Sequence, residues 1–237
     1  MPESANYLAA YIEKFCQQPY TLVVVNNGSD LVRPSHYANL VLGKNIQTTG
    51  GWMAGLEDYI DHLQIECFAY CFMITSAWFI PPHDHISMMR DFLLENKDAV
   101  GIMPALTPDS DIEVWKQMLT RGGDKPRRTW GLDNIITMWR ADWFNSIGRF
   151  DKRLVYAWGL AEETSWKARR DGKSLWIDER IRITKKQDIG YKMDRMNMTA
   201  EGRRLRGMRN VMRIMKYKYG ENWIDKLTNE YVNPAWK

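Results

Sequence analysis

The sequence predicts an α/β fold with a mainly parallel central sheet, helices on both faces and a Rossmann-like first half. Three observations carry this expectation. Apolar runs at residues 20–25, 67–75 and 99–103 are continuous rather than alternating, the pattern of strands buried on both faces. Segments of helical periodicity separate them, so the order reads β-α-β-α-β. The first run ends in Asn26-Asn27-Gly28-Ser29-Asp30, a turn-forming cluster of the kind that borders a ligand cleft at a strand end.

Element by element, Tyr7, Leu8, Tyr11, Ile12 and Phe15 recur at helical spacing and predict a helix over 4–17. The β-branched run 20–25 predicts a buried strand. Gly50 and Gly51 precede a helix expected to reach about residue 62. A strand over 67–75 follows, then a helix opened by Pro81-Pro82 and carried by Ile86, Met89, Phe92 and Leu93. A short strand over 99–103 is closed by Pro104. Residues 105–130 have weak periodicity and suit a connection or lid. Residues 134–139 read as a strand and 141–147 as a short helix ended by Gly148. Glu162 and Glu163 lead into a helix from Thr164 to Arg170 with Gly172 as its cap. Two short strand-like pieces lie in 173–184, and a basic helix spans 201–219 with Val211, Ile214 and Met215 on its apolar face.

At 237 residues, 45% hydrophobic and 26% charged, the chain has a globular composition, not that of a disordered or fibrous protein. One domain over 1–237 is expected, with a basic helical extension over 191–237. Glu3, Glu13 and Lys14 interrupt the opening segment, and no run reaches 18 uncharged apolar residues, so a cytoplasmic protein without a transmembrane segment is expected. Cys16, Cys67 and Cys71 form no Cys-x-x-Cys pair and read as buried free thiols. The net charge of +4 is polarised: residues 165–218 hold 17 Lys and Arg against 6 Asp and Glu. That tract suits a polyanion, an anionic lipid or a diphosphate, or is an ordinary solvated face.

Among the motifs, Asn27 can donate and accept together, and the turn 26–29 offers backbone amides to a phosphate. Gly51 and Gly55 lie four apart on one helix face, allowing close approach of a nucleotide or of neighbouring backbone. His83-Asp84-His85 joins imidazole and carboxylate as a metal-binding candidate, although adjacent positions diverge on a helix.

Val24-Val-Asn-Asn-Gly-Ser29 resembles the Val-Val-Asp-Asn-Gly-Ser strand end of the GT-A fold glycosyltransferase family 2. Gly51-Trp-Met-Ala-Gly55-Leu-Glu57-Asp-Tyr59 resembles the family's Gly-x-x-x-Gly-x-Asn-x-Gly donor segment, with Glu57 for Asn and Tyr59 for Gly. Residues 131–151 resemble its acceptor-side strand and following turn. Trp158-Gly159-Leu-Ala-Glu162-Glu163 with Lys167-Ala-Arg-Arg170 resembles the aromatic, acidic and basic motif that supplies its catalytic base.

The resemblance implies transfer of a sugar from a nucleoside diphosphate sugar to a hydroxyl of a glycan or other acceptor, with inversion, by a nucleotide-sugar-binding half over about 1–104 and an acceptor and catalytic half over 105–190. It implies donor contacts from Asn26, Asn27, Gly28, Ser29, Gly51, Gly55, Glu57 and Thr75, with the nucleotide between 26–29 and the 51–57 helix. Asp133 is expected to orient an acceptor hydroxyl or the sugar. Counting back from Lys167 favours Glu163 as the base, and counting forward from Trp158-Gly159 favours Glu162. The family's Mg or Mn ion is held by Asp-x-Asp or Asn-Pro-Asp, but Thr75 and Ala77 stand at those places. The ion is then held differently, or Lys185, Lys186 and nearby Arg residues offset the diphosphate charge, or activity is lost. Two rival functions remain. The basic tract, with Arg203, Arg204, Arg206, Arg209, Arg213, Lys216 and Lys218 interleaved with Tyr217 and Tyr219, suits a nucleic acid partner and transfer to a hydroxylated DNA base. Alternatively the departures mark an inactive binding or assembly module.

Overall fold

In the computed structural model, residues 2–28, 33–80, 83–112, 115–186 and 199–229 are described. Helix α1 (Pro2–Phe15) starts with proline, carries Glu3 in its first turn and Lys14 in its last, and buries Leu8, Tyr11 and Ile12. Tyr11 stacks on Phe79 at 4.8 Å and donates its hydroxyl to the His83 carbonyl at 2.7 Å. The run 20–25, expected to be one buried strand, enters a ladder only as β1 (Val25–Asn26), which pairs in parallel with β2 (Leu40–Val41). Its residues are exposed or half-buried because they edge a separate two-stranded sheet. Helix α2 (Gln47–Ala54) starts before the expected glycine pair and passes into a π-helical turn, Gly55–Asp61.

The main sheet contains β3 (Ala69–Met73), β4 (Ala77–Phe79), β5 (Ala99–Leu106), β6 (Pro126–Thr129), β7 (Ile136–Arg140) and β8 (Ser174–Lys185), in the order β3-β7-β5-β8-β4 with β6 also on β8. The α/β class holds, but the expectation of a mainly parallel sheet is corrected. Only β5 and β8 run parallel there; the β3–β7, β5–β7, β4–β8 and β6–β8 pairs are antiparallel. All eight β5 residues are buried, so its apolar run reports cover on both faces, which either strand direction permits. Pro104 does not end β5, because it sits at a register shift where its missing N–H is tolerated. The two pieces expected over 173–184 are one strand, β8.

Helix α3 (His85–Glu95) is capped by Asp84, whose carboxylate accepts from the Ser87 N–H at 3.0 Å. Pro81-Pro82, its expected start, lies outside the described residues. Helix α4 (Ala141–Ser146) follows β7 directly. Helix α5 (Leu160–Arg170) begins four residues before the expected Thr164. Gly159, at φ +86°, turns the chain into α5 where a Cβ would meet Met215 and Val211 at 2.6 Å, so glycine is required there. Those side chains belong to α6 (Ala200–Tyr219), whose Val211, Ile214 and Met215 are buried as expected; α7 (Trp223–Asn229) adds Trp223 and Leu227. Among the described residues no helix is long and apolar enough to cross a membrane.

Candidate active site

The β3–β4 corner and the end of β8 bring together residues far apart in sequence. Ala77 pairs with Lys185 across the ladder, and the Lys186 N–H donates to the Ser76 carbonyl at 2.9 Å. The Lys185 N–H donates to Ser110 Oγ at 3.1 Å, and Lys186 Nζ pairs with Asp109 at 3.1 Å. Thr75 and Ser76 thus lie beside two consecutive lysines.

Asp133 and Glu162 belong to the same neighbourhood. The loop before β7 is pinned to α5 by the Leu132 N–H, which donates to Ser165 Oγ at 3.0 Å, and Thr137 Oγ1 donates to the Asp133 carbonyl at 2.6 Å. Burial raises the Asp133 carboxyl, and the positive charge of Lys185 opposes that rise. Glu162, in the first turn of α5, is pushed up to about 7, mainly by burial, with the charge of Asp133 adding to it. Among the described residues the Glu162 carboxylate bonds no other side chain and Lys185 has no ion-pair partner. A half-buried carboxylate near 7, next to a second acid and an ammonium group, is suited to accept a proton.

Glu163, the acid favoured by counting back from Lys167, is placed differently. It is 1% exposed. Its Oε1 accepts from Lys218 Nζ and, at 2.6 Å, from the Tyr219 hydroxyl, with Lys167 Nζ at 3.7 Å. Lys218 also pairs with Asp151 at 2.8 Å. Burial, then the Glu163 hydrogen bond, pushes the Tyr219 phenol far above its usual range. Because α5 already includes both acids, adjacent positions diverge by about 100°: Glu163 turns to α6 while Glu162 feels Asp133. A readable signal existed, since Lys218 continues the 211-214-215 face of α6, where a lysine needs an acidic partner.

Several expected donor contacts serve the fold instead. Asn27 Nδ2 donates to the Gln47 carbonyl at 2.7 Å and its Oδ1 accepts from the Ile46 N–H at 3.0 Å, tying β1 to the start of α2. Gly28, at φ +59°, lies where a Cβ would meet the Lys44 carbonyl carbon at 2.0 Å. A Cβ on Gly51 would meet Asn27 at 3.0 Å, and one on Gly55 would meet Val25 at 3.1 Å. Both glycines therefore admit the 25–27 segment closely, and both still line, with Asn27, the cavity that β1 borders. Glu57 pairs with Lys152 at 2.9 Å on the surface. Asn26 and Thr75 do line a cavity of about 810 Å³, together with Asn45, Thr48 and Ser76. Ser29 lies outside the described residues.

The corner does not fit a divalent ion: Thr75 and Ser76 offer only neutral hydroxyls, Ala77 offers none, and two lysines flank it. Nor do His83 and His85 share a site, since buried His85 places Nε2 3.1 Å from the Ile80 carbonyl and Asp84 caps α3. Among the described residues no three His, Cys, Asp or Glu side chains form a metal-binding group.

The helix-covered mixed sheet is a GT-A glycosyltransferase fold. A solved structure with which the chain aligns is GalNAc-T7, determined with UDP, GalNAc and Mn2+: the TM-score is 0.53 and the identity 9%, over 79% of this chain and 37% of that one. The chain therefore spans little more than a third of that neighbour, and the likeness establishes the fold, not family 2 in particular. No family model and no curated protein matches the sequence.

Proposed function

We propose that the protein transfers a sugar from a nucleoside diphosphate donor to an acceptor hydroxyl, with Glu162 as general base. The observation that carries this reading is the electrostatic grouping of Glu162, Asp133 and Lys185, each without a competing side-chain bond among the described residues. The acceptor oxygen attacks the anomeric carbon as the bond to the diphosphate breaks. Glu162 takes the hydroxyl proton, and the nucleoside diphosphate leaves with the bonding pair. Lys185 and Lys186, with the Thr75 and Ser76 hydroxyls, offset the leaving charge. Asp133 keeps the Glu162 pKa near the working pH and orients the acceptor. Inversion follows if this is one displacement. The GT-A fold and the UDP in the neighbour's structure support a uridine nucleotide as the donor to test first.

The test is single-turnover transfer from UDP-sugars to a panel of hydroxyl acceptors across pH. Transfer should rise with pH through about 7, where Glu162 loses its proton. In Asp133→Asn the rise should move to lower pH, because a charge that disfavours ionisation is gone. A flat profile in both proteins would remove Glu162 from the chemistry. A second reading, transfer to a hydroxylated DNA base, is favoured only by the exposed Arg206, Arg209 and Arg213 face of α6. Absence of salt-dependent DNA retention would eliminate it.

A further inference from the structure

The 810 Å³ cavity has a body distinct from its polar end. One wall is residues 20–27 and the other is residues 65–76, each an unbroken stretch of chain. The two walls belong to different sheets, and no hydrogen bond joins them across the gap.

Their backbone directions are fixed by the bonds on their far sides. The Val24 N–H donates to Asn39 Oδ1 at 2.8 Å, its carbonyl accepts from the Asn39 N–H at 3.1 Å, and the Asn26 carbonyl accepts from the Leu42 N–H at 2.9 Å. Alternation along the chain then turns the N–H and C=O groups of Val23 and Val25 toward the cavity. On the opposite wall, the Ile74 N–H donates to the Ile135 carbonyl and the Phe68 carbonyl accepts from the Ala141 N–H, both at 2.9 Å. The even-numbered residues of β3 therefore bond β7, and Ala69, Cys71 and Met73 direct theirs into the cavity. Among the described residues only the Met73 carbonyl has a partner there, Trp52 Nε1 at 3.3 Å.

Two facing strand edges with unused donors and acceptors form a template for a strand. We propose that this slot receives an extended, uncharged peptide strand of roughly five or six residues, which hydrogen-bonds both walls and joins the two sheets. The hydrogen-bonding edges favour a peptide over a hydrocarbon ligand, which would leave the backbone groups of Val23, Val25, Ala69 and Cys71 unsatisfied. Glu66, Arg33 and Arg90 line the cavity elsewhere, but the strand-forming stretches 20–25 and 67–74 contain no Asp, Glu, Lys or Arg, so the occupant is uncharged where it meets the two edges. Leu8 and Ile12 of α1 and Gly55 and Leu56 of the π-helical turn also line the slot, so the strand is apolar on both faces and rich in Val and Ile.

The probe is a fluorescein-labelled peptide with a Val, Ile and Thr hexamer core and lysines at each end, titrated against the full chain by anisotropy. The control peptide carries proline at alternate core positions, removing the donors on one edge. Saturable binding is expected, weaker for the control by on the order of tenfold or more. Hydrogen exchange should show the Val23, Val25 and Cys71 amides protected only with the peptide bound. Val25→Pro, whose lost N–H points into the slot and not to β2, should weaken binding similarly. Exchange on the parent protein decides the question even where that variant does not fold. Absence of saturable binding, equal binding of the control, or binding without protection of those amides overturns the proposal. Self-association that protects the same amides without peptide assigns the slot to a second copy and overturns it too. None of these readouts involves sugar transfer, so this proposal and the functional one fail separately.

Discussion

In residues 26–57, Asn27 spends its amide on Ile46 and Gln47, Gly28 admits the Lys44 backbone, Gly51 and Gly55 admit the 25–27 segment, and Glu57 holds Lys152. In residues 131–186, Asp133 feels the charge of Lys185 and Glu162 that of Asp133, while all three keep their side-chain atoms available among the described residues. Both regions carry residues on which the sequence resemblance was drawn. The difference teaches that a motif residue marks a binding site only if folding leaves its bonding capacity unused. Glu162 and Glu163 repeat the contrast on one helix turn.

The largest effect expected from breaking this contrast is on Glu162. Glu162→Gln should slow single-turnover transfer about 10²–10⁴-fold with donor affinity kept. The same variant has a stability signature. With its pKa raised from the ordinary 4.5 to about 7 in the folded state, Glu162 holds its proton where the unfolded chain loses it. The stability it contributes is present below about 4.5 and lost as pH rises through about 7, so Glu162→Gln should be relatively more stable at pH 8 than at pH 4. Thermal unfolding at those two pH values checks the sign.

Next in size, Glu163→Gln should destabilise by about 3–5 kcal/mol, because Lys218 and Lys167 lose a buried acid. Its transfer rate, measured on folded protein, should stay near the parent's. The denaturant midpoint at constant slope reads the first quantity. A rate loss as large as that of Glu162→Gln would erase the distinction between the two acids.

Gly55→Leu tests the other region. Overpacking against Val25 should cost about 1–3 kcal/mol, while nucleotide affinity of the folded variant stays near the parent's. Selective loss of nucleotide binding with unchanged stability would restore Gly55 to the donor site. The smallest effect is expected from Glu57→Gln, about 0.2–1 kcal/mol for a partly exposed pair with Lys152 and no change in donor affinity, read by denaturation and calorimetry.

Much of the fold was legible in local pattern. The periodicity of α1, α3 and α6 located those helices within a few residues, and the apolar runs located β3, β5 and β7, because 3.6-residue and continuous apolar patterns arise from burial of single elements. The type of those elements was readable from sequence by itself, and so were Asp133, Glu162, Lys185 and Lys186 as candidates, whereas the short strands β2, β4 and β6 and helix α7 were not, because two to four paired residues or a seven-residue helix leave too little periodicity. Tertiary structure alone decided strand direction, since an apolar run buried on two faces is compatible with either neighbour. It also decided which of two adjacent acids is spare. Gly159 starts α5 early, the face bearing Glu163 then meets Lys218 and Tyr219 from 55 and 56 residues away, and Glu162 is left beside Asp133. Those partners are joined only by packing of α5 against α6, and spacing along a chain carries no record of which distant charge will fold against it.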